Sequence, residues 1–98
     1  MKKFVLLTIG FTPPTPEIME SWMQWLQSID EQIIDQMGLR NGKEVTKHNV
    51  TDLGMDHDTI TGIVVINAND IDEALTIAKS SPMITSTKVY EVITHESP

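Results

Sequence analysis

Apolar and polar positions change period several times along this chain, and each change predicts an element. In residues 3–9, KFVLLTI, Phe4 and Leu6 point one way and Val5, Leu7 and Ile9 the other. This predicts a strand buried on both faces. Gly10 to Pro16 reads as a loop, with Thr15 as N-cap and Pro16 at the first helical position, where its missing N–H costs nothing. From there the period is helical. Met19, Trp22, Leu26, Ile29, Ile33 and Met37 follow three- and four-residue steps, and Ile18 and Trp25 widen the stripe. Glu17, Glu20, Gln24, Gln27, Glu31 and Asp35 occupy the other face. The pattern predicts one long amphipathic helix over 16–37, stopped by Gly38, then a turn over GLRNGK.

Residues 44–50, EVTKHNV, predict a polar strand suited to a sheet edge, and TDLGMDHD a loop. Residues 60–67 are apolar on both sides, with Ile63 and Val65 opposite Val64 and Ile66. Asp70 opens a capping box with Glu73 three residues on, Ala74, Leu75 and Ala78 give the following helix a small-residue face, and Pro82 ends it. Residues 87–94, TKVYEVIT, predict a last strand before the tail HESP.

The order β-α-β-β-α-β, with right-handed crossovers, predicts an α+β, ferredoxin-like fold with a four-stranded antiparallel sheet and strands one and three at its centre. Those are the two strands that read as apolar on both faces. Both helices would cover one face, leaving Val and Ile on the other in water. A patch that large exceeds what soluble monomers usually carry. The economical cover is a second copy, sheet against sheet, in a homodimer. At roughly 25 cal/mol per Å², an interface on the order of 1,500 Å² has ample drive.

Length and charge narrow the class. Ninety-eight residues predict a single domain over 1–98. With no cysteine, disulfides, thiolate nucleophiles and Cys-ligated metals are excluded. Seven basic against fourteen acidic residues give a net charge of −7, and the positive charges are scattered, which argues against nucleic acid. The opening MKKFVLLTIGF imitates a signal peptide, but Pro13, Pro14 and Pro16 follow instead of a small-x-small cleavage site. A cytoplasmic chain is expected, without a membrane partner, since no segment is long enough to span a bilayer.

Gly62, Ile66, Ala68, Asp70, Asp72, Glu73, Ala74, Ala78 and Pro82, followed by Val89 to Val92 in V-x-E-V, resemble the C-terminal half of YCII-related (DGPF) proteins. The P-E-x-M at Pro16 to Met19 is compatible with their first half. The resemblance implies the dimeric α+β barrel arrangement. It also implies an acid–base pair, a histidine on the first helix and an aspartate near its end. Asp35 could hold the acid position. The histidine position falls at Trp22 or Met23, neither of which takes a proton at neutral pH, and Leu53-Gly54-Met55 stands where D-G-P-F would finish. The dyad is therefore not carried over.

Candidate site residues follow from chemistry. His48 on the predicted edge strand could face a cleft beside the first helix, where Trp22 and Trp25 would wall an apolar pocket with Asp35 and Asp52 nearby. Core packing of the tryptophans and a solvated His48 are the bland alternatives. Asp56-His57-Asp58 could converge on a divalent ion but lacks ligand spacing, and an acidic loop without metal is expected. His95 belongs to the tail. The leading expectation is a homodimeric small-molecule binding module without cofactor. The alternative is a small cofactor-independent lyase or hydrolase using His48 with an acidic residue.

Overall fold

A computed structural model describes residues 1–93 of the chain. The elements run β1 (Lys2–Ile9), α1 (Pro16–Ser28), β2 (Ile33–Gly38), β3 (Lys43–Val45), β4 (Val50–Asp52), β5 (Ile60–Ala68), α2 (Ile71–Lys79) and β6 (Ser86–Glu91). Strands β2-β5-β1-β6 form one antiparallel sheet in that order, and β3-β4 form a separate hairpin. This is the expected ferredoxin-like α+β fold with the hairpin inserted between its second and third sheet strands. No helix among the described residues is long and apolar enough to cross a membrane.

The ends of both helices follow from local chemistry. Thr15 Oγ1 accepts the Ile18 N–H at 3.2 Å with Pro16 in the first turn, and Asp70 Oδ1 accepts the Glu73 N–H at 2.9 Å. The second half of the capping box is altered: Glu73 Oε2 accepts from the Asn69 side-chain amide at 2.9 Å instead of reaching back to the cap backbone.

The first half of the chain departs from the expected pattern. α1 ends at Ser28 rather than at 37. Its C-cap Ile29 starts a tight turn, in which Gln32 N–H donates to Ile29 O and Ile33 N–H to Asp30 O. The chain then runs back as β2 along β5, so Gly38 ends a strand and not a helix. The second sheet strand is therefore 33–38, and 44–50 contributes only to the hairpin. The physical reason is pairing. Asn67 N–H donates to Gln32 O, and the ladder from Ile33 to Gly38 satisfies backbone groups along the outer edge of β5. The predicted last strand, 87–94, is shorter, and Thr94 and His95 lie outside the described residues.

Registers assign the two faces. Phe4 opposite Ile66 and Leu6 opposite Val64 share the helix side, where they pack in one buried cluster with Trp25, Ile29, Ala74, Ile77 and Ala78. Val5 opposite Val65 and Leu7 opposite Ile63 lie on the outer side, all half-buried, flanked by exposed Tyr90 and Met37. The molecule is only 18 Å along its shortest axis, two layers deep.

Candidate functional site

The four sheet strands meet in rows, and one row is unlike the others. Gln36, Val64, Leu6 and Val89 stand side by side, a row of four side chains larger than a methyl. The next row on the same face is Gly38, Gly62, Thr8 and Thr87. Two glycines and two threonines leave a gap beneath α1. The gap is a cavity of about 450 Å³ walled by Trp22, Leu26, Gln36, Gly62, Thr8 and Val64. A Cβ at Gly62 would lie 2.9 Å from Thr8 Oγ1, whereas one at Gly38 would meet nothing within 4 Å. The first glycine is therefore required by its neighbour, and the second borders open space.

The chemistry of this cavity is aromatic and neutral. Trp22 supplies a half-buried ring, held edge-on by Trp25 with centroids 5.5 Å apart and planes at 86°. Thr8 and Gln36 supply a hydroxyl and an amide, whereas the Thr61 hydroxyl donates to the Gly10 carbonyl at 3.1 Å and the Thr8 carbonyl at 3.4 Å. None of its lining side chains ionises near neutral pH. The arrangement can hold a flat, mostly apolar molecule by stacking and a few hydrogen bonds, but it contains no proton-transfer pair.

The five residues expected to share a pocket are dispersed. Trp22 lines the cavity. Trp25 is a core residue, 5% exposed, whose Nε1–H donates to Ser80 Oγ at 2.9 Å and Ile77 O at 3.3 Å. Asp35 pairs with Val65 in β2, which puts it on the outer face of the sheet, and its carboxylate accepts from the Gln36 N–H at 2.8 Å. His48 is exposed in the turn of the β3-β4 hairpin, its backbone N–H donating to Thr46 Oγ1 at 3.3 Å. Asp52 ion-pairs with Lys43 across the same hairpin, both side chains exposed. Sequence reasoning missed Thr8, Gly62 and Gln36. Their signal lies in the cross-strand register, which the misplaced second strand had concealed.

Two further features border this end of the sheet. Gly10, at φ +116°, turns the chain out of β1; a side chain there would strike Thr85 Oγ1 at 2.7 Å, and its own N–H donates to Thr59 O at 2.7 Å. Asp56, His57 and Asp58 place one ligand atom each within 4.8 Å, all three exposed. The Asp56 carboxylate is already engaged. It accepts from the Asp58 N–H at 2.9 Å and lies 3.2 Å from Thr59 Oγ1, and these bonds, the Asp58 amide first, hold its pKa below the usual carboxylate value. Among the described residues the sole histidine–carboxylate contact is His57 Nε2 to Asp58 Oδ2 at 3.5 Å, between exposed side chains. His48 has no acidic partner there.

No family model matches this chain, and no curated protein does. Among solved structures, the chain is similar to 5-chloro-2-hydroxyhydroquinone dehydrochlorinase from Burkholderia phenoliruptrix AC1100, solved in complex with 2,5-dihydroxybenzoquinone. The TM-score is 0.57 at 13% identity, over 96% of this chain and 95% of that one. At that identity the likeness establishes a shared fold, ferredoxin-like α+β.

Proposed function

We propose that this chain is a single-domain, homodimeric binding module of YCII-like type, without the acid–base dyad, whose ligand is a small flat molecule held under Trp22. The observation that carries the reading is the hollow row. The hollow opens to solvent, and its walls have no packed neighbours on that side, so their dispersion contacts are available to a bound molecule. A ligand against Trp22, Thr8 and Gln36 takes them up. A structural relative of the same fold holds a small planar quinone, which is in keeping with this. Dispersal of His48, Asp35 and Asp52 favours binding over proton-transfer chemistry.

The dimer is part of the reading. Val5, Leu7, Ile63 and Val65 form a continuous aliphatic outer face, with no helix over it among the described residues. A second copy covers it by the same patch meeting itself. Light scattering at micromolar concentration should give twice the chain mass, and a monomeric mass would sink the dimer.

The cavity is tested by a thermal-shift screen of flat, uncharged aromatic compounds on wild type and on Gly38→Leu. A Cβ at Gly38 meets nothing within 4 Å, so a larger side chain can start there, and the leucine is expected to project into the space. Compounds that stabilise the wild type should fail with the variant. Equal shifts in both proteins would refute the cavity as the site.

A further inference from the structure

The Trp22 cavity does not end at the glycine row. Gly38 and Thr61 also wall a second hollow of about 390 Å³, completed by Phe11, Leu39, Arg40 and Met55. Leu39, Arg40 and Met55 in turn wall a third, of about 550 Å³, beneath the loop that leaves the hairpin. The three are separate hollows that share wall residues in sequence, which lines them up from Trp22 past Gly38 towards that loop as a segmented groove.

Charge along this groove is uneven. The first hollow has no ionisable side chain, and the second has a single one, Arg40. Carboxylates enter only at the third, with Asp56 and Asp58. Asp56 is held by the Asp58 amide and the Thr59 hydroxyl, and Asp58 lies against His57. Lys43, the next cation along the chain, is paired with Asp52. Arg40 makes no ion pair among the described residues. Arg40 is exposed, beside Phe11, Leu39 and Met55 on one side and sharing the third hollow with Asp56 and Asp58 on the other, so among the described residues its guanidinium is left available to an anion.

Resting on the cavity reading above, we infer that the ligand is an organic anion. Its flat uncharged body lies under Trp22, and its carboxylate reaches past Gly38 to Arg40. Arg40 lies two positions beyond Gly38, so its Cα stands at most about 7 Å past the glycine row and its side chain can reach a group held there. Arg40 fixes orientation, because its planar fork donates two parallel hydrogen bonds to a carboxylate while the neutral cavity holds the rest.

Two probes of one shape separate these ideas: 4-phenylbutanoate and its uncharged amide, titrated by calorimetry against wild type, Arg40→Gln and Gly38→Leu. The acid should bind the wild type roughly tenfold more tightly than the amide. Arg40→Gln, on an exposed turn, should erase that preference by weakening the acid alone, and Gly38→Leu should abolish both. Equal binding of acid and amide, or a preference that survives Arg40→Gln, overturns the anion inference and leaves the cavity standing. Failure of both probes on the wild type, or binding indifferent to Gly38→Leu, overturns the cavity reading and this one with it.

Discussion

The two tryptophans of α1 touch each other and stand one turn apart, yet they face opposite situations. Around Trp25 every space is taken: Phe4, Ile66, Ala74 and Ile77 join it in one buried cluster, and its indole N–H donates to Ser80 and the Ile77 carbonyl. Around Trp22 the sheet offers Gly62, Gly38 and Thr8, and a cavity opens. Helix and sheet are common to both ends. The difference is side-chain volume in one cross-strand row. The hollow is made by removing bulk from a sheet, with ordinary residues around it, and that is why no catalytic-looking motif announces it.

Trp25→Ala should break the filled end. The lost transfer energy and the remaining void together cost about 3–5 kcal/mol, with the Ser80 hydroxyl and Ile77 carbonyl also losing a donor. Urea denaturation at fixed protein concentration reads the change. A cost below that of Trp22→Ala would reverse the contrast between the two ends.

Trp22→Ala should be milder for folding and decisive for binding. The ring is half-buried and already borders empty space, so about 1–2 kcal/mol is expected, most of it from the edge-on contact with Trp25. Compounds that raise the melting temperature of the wild type should lose that effect. A loss of stability equal to that of Trp25→Ala would mean that the row is filled.

The contrast also explains what could be read from the chain. Residues 60–82 declared themselves: Val64 and Ile66 against Ile63 and Val65, the Asp70 cap and Pro82 all agree with β5 and α2. Local preference and tertiary demand coincide there. Residues 29–52 misled because Ile29, Ile33 and Met37 are four apart, so a strand carried a helical stripe. The turn between them has neither glycine nor proline. Two quantities spoke against the long helix. Twenty-two helical residues span about 33 Å, more than the roughly 26 Å of an eight-residue strand beneath. The Ile33-Ile34 pair is also β-branched, which favours a strand. With β2 misplaced, Gly38 does not stand beside Gly62, and the cavity beside Trp22 cannot be read from the sequence.

Gly62→Ala probes the hollow row at its tightest point. The added methyl comes within 2.9 Å of Thr8 Oγ1 and 3.4 Å of the Met37 carbonyl oxygen. In the wild type this should cost about 1 kcal/mol, because Thr8 must leave its rotamer. With Thr8→Ala in place the same methyl enters space, and because it restricts the unfolded chain it should become neutral or stabilising. A double-mutant cycle with no coupling would show that the two side-chain positions do not face each other.

The smallest expected effect lies at the rim of the hollow end. The Asp56 carbonyl accepts the Phe11 N–H at 2.8 Å, while the Asp56 carboxylate ties down Asp58 and Thr59. Those bonds favour the charged form, so the folded pKa lies below the ordinary 3.8. For a depressed carboxylate the stabilisation is present above the unfolded pKa and disappears as pH falls through the folded one. Acidification from neutrality to 3.8 should therefore leave the rim intact, and further acid should loosen it. Amide exchange at Phe11 and Asp58 should quicken in that lower window while the Trp25 indole N–H stays protected. In Asp56→Asn, which cannot titrate, the acid-dependent step at those two amides should vanish. Simultaneous loss of protection at Trp25 would mean that the rim and the filled core open as one unit, and the division between filled and hollow would be structural only in outline.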